Sequence, residues 1–106
     1  MTLAGAAYTA SKHGLVGLTK SIAAFYTKRG VRAVAIMPGA MQTNMADAHD
    51  QKFHEDGLKI AVASCMGDIV WNPLDEVCKT ILCLCSEGMD TISGAFVPTD
   101  SGWTAI

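Results

Sequence analysis

The chain has 106 residues, half of them apolar and 17% charged, with a formal net charge of −2. This suits one small globular domain with a core of its own, rather than a disordered or nucleic-acid-binding chain, since no basic block is long enough to track a phosphate backbone. There is no charged-then-apolar leader and no apolar run near the ~18 residues of a membrane span, so the chain is expected to be soluble and cytoplasmic, with no membrane partner.

Residues 3 to 28 are predicted as one long helix, because Leu15, Leu18, Ile22 and Phe25 recur at helical spacing. Gly14 and Gly17 weaken it locally but let another backbone come close. Lys28 and Arg29 suit the negative end of the helix dipole, and Gly30 suits a left-handed cap. The basic cluster Lys28, Arg29 and Arg32 is thereby explained without a partner. On this helix Tyr8 precedes Lys12 by four residues, so the two side chains share a face. An ammonium beside a phenol favours the phenolate, which is what a phenol needs to serve as a general acid or base near neutral pH. Taken alone, however, the pair reads more readily as an ordinary exposed tyrosine and lysine.

Residues 31 to 37, VRAVAIM, are short, almost wholly apolar and rich in valine, as a strand buried on both faces is. Pro38 and Gly39 stop it. Residues 40 to 71 have no strong periodicity and are predicted as a long loop with short helical pieces, a length often associated with function. His49, His54, Asp47, Asp50 and Glu55 gather there. Their spacing does not put the histidines on one helix face, and a solvated segment is preferred to a metal site.

Asn72 before Pro73, with Asp75 and Glu76 following, predicts a helix start: a capping side chain, proline at the first helical position and acids at the positive end. Val77, Cys78, Ile81, Leu84 and Cys85 form its expected buried stripe, and Glu87-Gly88 ends it. The four cysteines, Cys65, Cys78, Cys83 and Cys85, allow two disulfides by count. They are better read as free thiols used as small core hydrophobes, since no CxxC-type pair points to a metal. Residues 94 to 98, GAFVP, are predicted as a second buried strand. Two apolar strands joined through a helix imply a parallel crossover and an α/β class.

Three ordered stretches change the reading of the tyrosine–lysine pair. From Tyr8-Thr9-Ala10-Ser11-Lys12 and the following HGLVGLTKSIAAFY, through VRAVAIMPGAMQT at 31 to 43, to ISGAFVPTDSGWTA at 92 to 105, the whole chain resembles the C-terminal part of the short-chain dehydrogenases/reductases, with their YxxxK pair. An accidental YxxxK in an unrelated small α/β domain does not explain three matches in order. The resemblance implies a single partial domain over 1 to 106, the C-terminal portion of a Rossmann-like parallel sheet, with 40 to 71 as the substrate-lid loop, its stretch 44 to 70 covering the substrate.

The resemblance also implies roles. Tyr8 would exchange a proton with a small-molecule carbonyl or alcohol. Lys12 would favour the Tyr8 phenolate and hydrogen-bond the ribose of an NAD or NADP cofactor. Pro38 and Gly39 would let backbone approach the nicotinamide, and the Met41 backbone and Thr43 hydroxyl would hold its carboxamide. A homo-oligomer is expected in the full-length context. Departures are also plain. Counted back from Tyr8, the family's catalytic serine falls before Met1, and no glycine-rich phosphate loop follows a strand anywhere in the chain. The strand before Pro38 has Val34 where an asparagine is usual, and the closing motif reads Asp100-Ser101-Gly102. The expectation is an NAD(P)-dependent oxidoreductase represented by a C-terminal portion that is inactive alone. The alternative is a non-catalytic relic or interaction module that pairs with a full-length subunit. Met1 is the start of a truncated gene, of a fragment, or a mispredicted start, and the sequence leaves these open.

Overall fold

The computed structural model describes residues 5–44, 55–64 and 70–105. In chain order it contains helix α1 (Gly5–Tyr26), strand β1 (Ala35–Pro38), helix α2 (Glu55–Ser64), helix α3 (Leu74–Cys85) and strand β2 (Phe96–Thr99). Asp47, His49, Asp50, His54 and Cys65 lie outside the described residues, as does most of the predicted lid apart from α2.

α1 ends as its sequence predicts. A short 3-10 turn over Thr27–Arg29 tightens it, and Gly30 takes the left-handed conformation at φ 81°, its amide donating to the Thr27 carbonyl. The Thr27 hydroxyl bonds the Ala23 carbonyl at 2.7 Å and lies 2.6 Å from the Ser93 hydroxyl. That contact ties the end of the helix to the approach to β2. A second close approach lies beside it: a Cβ at Gly94 would stand 3.3 Å from the Ala23 methyl.

β1 and β2 pair in parallel, with Ala35 opposite Phe96 and Pro38 opposite Thr99. The ladder runs on past both ends, through Gly94 N–H to the Ala33 carbonyl at 2.7 Å and Gly39 N–H to the Thr99 carbonyl at 3.1 Å. The regular strands, four residues each, are nonetheless shorter than the apolar runs that signal them. Arg32 donates to the Leu84 carbonyl at 3.0 Å, so the residue before the sheet closes the C-terminal end of α3.

Three expectations are corrected. Pro73, not Asn72, stands at the cap position of α3, and no side-chain cap bond is made there. The acids Asp75 and Glu76 do fill that turn. Secondly, the expected buried stripe of α3 is mostly exposed: Cys78 and Cys85 are exposed free thiols, as is Cys83 beside them, and Ile81 is 42% exposed. Thirdly, β1 is half-buried rather than enclosed on both faces. The physical reason for the last two is the same. Periodicity tells which side chains face together, but burial needs a surface to cover them. Among the described residues Val77 is the one buried apolar side chain, while Phe25 is 73% and Leu82 70% exposed.

No helix among the described residues is long and apolar enough to cross a membrane. Exposed Leu15, Leu18 and Phe25 on α1, with Leu74, Ile81 and Leu82 on α3, leave more apolar surface than a small monomer carries comfortably. The outer edges of a two-stranded sheet add unpaired backbone groups. The 106-residue polypeptide is expected to self-associate at high concentration. Light scattering is the check, and a cooperatively melting monomer is the contrary result.

Candidate active site

The first turns of α1 put Tyr8 and Lys12 one above the other. The Lys12 ammonium stands 5.2 Å from the centroid of the Tyr8 ring, within cation–π range. The ring is 46% exposed, so it is not part of a core. Two neighbouring side chains turn back on the helix: the Ser11 hydroxyl donates to the Tyr8 carbonyl at 2.7 Å, and His13 Nδ1 lies 2.9 Å from the Thr9 carbonyl. Among the described residues no carboxylate stands within ion-pair distance of Lys12.

Tyr8 and Lys12 open on a cleft of about 420 Å³, whose other wall is the length of β1 from Ala35 to Pro38. Leu15, Val16 and Met37 make most of the remaining lining apolar. The pair therefore faces a strand of the parallel pair along its length, and the cleft reaches Pro38 at the carboxyl end, the end where open α/β sheets bind their ligands. Of the site residues that the resemblance implies, Tyr8, Lys12 and Pro38 border this cleft together. Gly39 follows immediately. Met41 and Thr43 are half-buried further along the loop, and neither is among the residues that border the cleft.

Behind the Pro38–Ala40 loop lies a polar cluster that had no signal in the sequence beyond a helix-cap pattern and a variant closing motif. Asn72 and Asp100 are both buried, at 8% and 6% exposure. The Asn72 amide donates to the Ala40 carbonyl at 2.8 Å, beside an isolated parallel bridge between Ala40 and Trp71. Its side-chain Nδ2 reaches the Ala40 and Val70 carbonyls at 3.3 and 3.4 Å, and its Oδ1 accepts from the Ser101 hydroxyl at 2.6 Å.

Asp100 accepts from the backbone amides of Gly102 at 3.1 Å and Thr104 at 3.0 Å, and from the Thr104 hydroxyl. The Thr104 hydroxyl outweighs the opposing effect of burial and, with the two amides, holds the Asp100 carboxyl below the usual carboxylate range. These bonds fold the chain after β2 into a tight turn, with Ser101 at φ 55°. Gly39 sits against this cluster. A Cβ there would lie 2.6 Å from Asn72 Nδ2 and 2.9 Å from the Asp100 Cβ.

Among the described residues no group of three or more His, Cys, Asp or Glu side chains is placed to hold a metal ion. What the arrangement offers chemically is a phenol and an ammonium in contact, at the mouth of a largely apolar cleft, beside a loop whose backbone is held from behind.

Comparison with known proteins gives a consistent set of relatives. A family model described as enoyl-(acyl carrier protein) reductase matches residues 2–104. A short-chain dehydrogenase/reductase of Colletotrichum higginsianum is 43% identical over 107 residues, covering 98% of this chain and 40% of that protein. The 3β-hydroxysteroid dehydrogenase 2 of Eggerthella lenta is 37% identical over 101 residues, covering 95% of this chain and 38% of that protein. Among solved structures, a 4-hydroxyisoleucine dehydrogenase complexed with NADH aligns with a TM-score of 0.71 at 31% identity, over 94% of this chain and 40% of that one. A structure from Agrobacterium tumefaciens with bound NADP aligns with a TM-score of 0.70 at 31% identity, over 93% of this chain and 39% of that one. The chain thus spans about two fifths of the length of the relatives it matches.

Proposed function

The chain belongs to the short-chain dehydrogenase/reductase family, and on that premise we propose that it is the C-terminal, acid/base portion of an NAD- or NADP-dependent enzyme that interconverts a small alcohol and a carbonyl. One observation carries the reading: the Tyr8 phenol and Lys12 ammonium, in contact on α1, open together on the cleft alongside β1 that reaches Pro38.

A nicotinamide cofactor, when bound, supplies or accepts the hydride. The residues present fit such a group, because the Lys12 ammonium is free of carboxylates among the described residues and Pro38, with Gly39 next in the chain, borders the same cleft. Lys12 would hydrogen-bond the cofactor's ribose. Pro38 and Gly39 would let the backbone come against the nicotinamide ring, and the Met41 backbone with the Thr43 hydroxyl would hold the carboxamide.

In reduction Tyr8 gives its phenol proton to the substrate's carbonyl oxygen. In oxidation the Tyr8 phenolate removes the proton from the alcohol. Lys12 stabilises the phenolate in either direction by its charge. Leu15, Val16 and Met37 give the cleft an apolar lining beside the pair, suited to the carbon skeleton of a small organic substrate. Residues 1–106 are on this reading a partial domain, 40–71 a substrate lid, and the whole enzyme a cytoplasmic homo-oligomer. The exposed apolar faces of α1 and α3 favour a second reading, a non-catalytic module that pairs with a full-length subunit.

Activity separates the two readings. Most dinucleotide affinity in such folds comes from the pyrophosphate on a glycine-rich helix N-terminus, and these 106 residues contain no such loop. The 106-residue polypeptide is expected to show no turnover of NADH or NADPH with a panel of ketones. The full-length form, with a dinucleotide-binding half before Tyr8, is expected to turn over at least one of them. The nicotinamide absorbance band is the readout. A full-length form that neither binds nor oxidises either cofactor defeats the enzymatic reading and leaves the binding module. Turnover by the short polypeptide itself shows instead that the glycine-rich half is dispensable.

A further inference from the structure

We propose that Asn72 is a positioning residue of this enzyme, a buried clip that sets the Pro38–Ala40 loop against the nicotinamide end of the cofactor and couples that loop to the exit of the lid and to the chain's closing turn. The proposal rests on the functional reading above and adds to it a residue that touches neither substrate nor the reacting atoms.

The observations are specific to this side chain. Asn72 stands at the N-terminal edge of α3, where its sequence pattern predicts a cap, yet its carboxamide bonds none of the first-turn amides. Its side-chain hydrogen bonds all go elsewhere. Nδ2 donates to Ala40, in the loop after β1, and to Val70, in the segment that leaves the lid region. Oδ1 accepts from Ser101, in the turn after β2. The two farther partners lie 32 and 29 residues away, so three segments distant in sequence converge on one amide.

The fit is also steric. A Cβ at Gly39 would overlap Nδ2 at 2.6 Å, so the Gly39 backbone lies directly on the carboxamide. The Ala40 carbonyl receives both the Asn72 backbone amide and its Nδ2, which saturates its two lone pairs and fixes the direction of the peptide that follows. Met41 follows directly on that peptide, and Thr43 comes two residues later. A carboxamide is the one side chain of this size that donates to two carbonyls and accepts from a hydroxyl at once. Aspartate has the shape but would set a carboxylate oxygen against two carbonyl oxygens.

The test compares two ligands that differ only at the nicotinamide end, in the full-length protein. Equilibrium dissociation constants are measured for the reduced dinucleotide and for ADP-ribose, which lacks the nicotinamide, in the wild type, Asn72→Asp and Ser101→Ala. Asn72→Asp is expected to weaken the dinucleotide about tenfold, the scale of losing a buried hydrogen-bond partner, with ADP-ribose unchanged. Ser101→Ala, which leaves the donors of Asn72 in place, should shift the dinucleotide in the same direction by less, and it serves where Asn72→Asp does not fold. Equal losses for both ligands, or no loss for either, overturn the proposal and leave Asn72 a stability residue while the functional reading stands. Equal affinity of the wild type for the two ligands also overturns it. A wild type that binds neither ligand removes the functional reading, and the proposal with it.

Discussion

Tyr8→Phe in the full-length protein is expected to lower carbonyl reduction by about 10²–10⁴-fold, the usual contribution of a positioned general acid. The substitution deletes one oxygen and leaves the ring, and with it the contact with the Lys12 ammonium 5.2 Å from the centroid. Because the ring is 46% exposed, the change in stability should stay within the roughly ±0.5 kcal/mol typical of surface substitutions. Loss of activity without loss of fold is therefore the signature. Lys12→Met tests the same unit from the other side. It keeps the length of the stem and removes the charge, so it should also depress the rate. At saturating cofactor the double variant should be little worse than Tyr8→Phe alone, since the ammonium's effect on the chemistry runs through the phenol that is already missing, while the lost ribose bond should show as a higher KM for the dinucleotide. Initial rates followed at the nicotinamide band decide the matter. A Tyr8→Phe enzyme within about threefold of the wild type would remove Tyr8 from the chemistry and leave the pair an exposed i, i+4 contact.

Gly39→Ala carries the largest expected effect on stability. Gly39 does not need a positive φ, so the demand on it is one of space. An added Cβ would meet Asn72 Nδ2 at 2.6 Å, the Asp100 Cβ at 2.9 Å and the Asp100 Cα at 3.0 Å. None of the three can yield cheaply: the Asn72 carboxamide is held by three hydrogen bonds, and the other two atoms belong to the start of a turn tied down by its own carboxylate. Overpacking of this kind costs about 1–3 kcal/mol. Denaturant unfolding of the full-length protein should show it as a lower midpoint at unchanged slope. The cause can be isolated. On an Asn72→Ala background the nearest contact is gone, so Gly39→Ala should cost less there than in the wild type. A cost that is the same on both backgrounds would place the strain on Asp100 alone.

The cleft, and the loop beside it, thus have different origins in the chain. Tyr8 and Lys12 are four residues apart, and helical geometry alone puts them on one face, so their contact is legible in the spacing itself. The end of α1 at Gly30, the acids in the first turn of α3 and the parallel pairing of two apolar segments are legible for the same reason: each depends on neighbours in sequence or on a chirality that holds for nearly all such crossovers. Strand ends are less so, because a ladder stops where its partner stops.

The cysteines of α3 show where periodicity runs out. Their seven-residue spacing sets a common face for Cys78 and Cys85, but only the arrangement of the other elements decides whether anything lies over that face, and here both are exposed. Asn72 shows it more sharply. A local rule reads Asn-Pro before acids as a helix cap, and the local rule is satisfied by composition whether or not the bond forms. The fold turns the side chain away from its own helix, because the carbonyls of Ala40 and Val70 and the Ser101 hydroxyl are brought within its reach, two of them from 32 and 29 residues away. The sequence by itself therefore determined the family, the helix that carries Tyr8 and Lys12, and the parallel pair of strands, since these rest on local spacing and ordered motifs. Only the tertiary structure decided which polar groups hold the Pro38–Ala40 loop from behind, since a hydrogen bond between distant segments exists only once the fold has paired them.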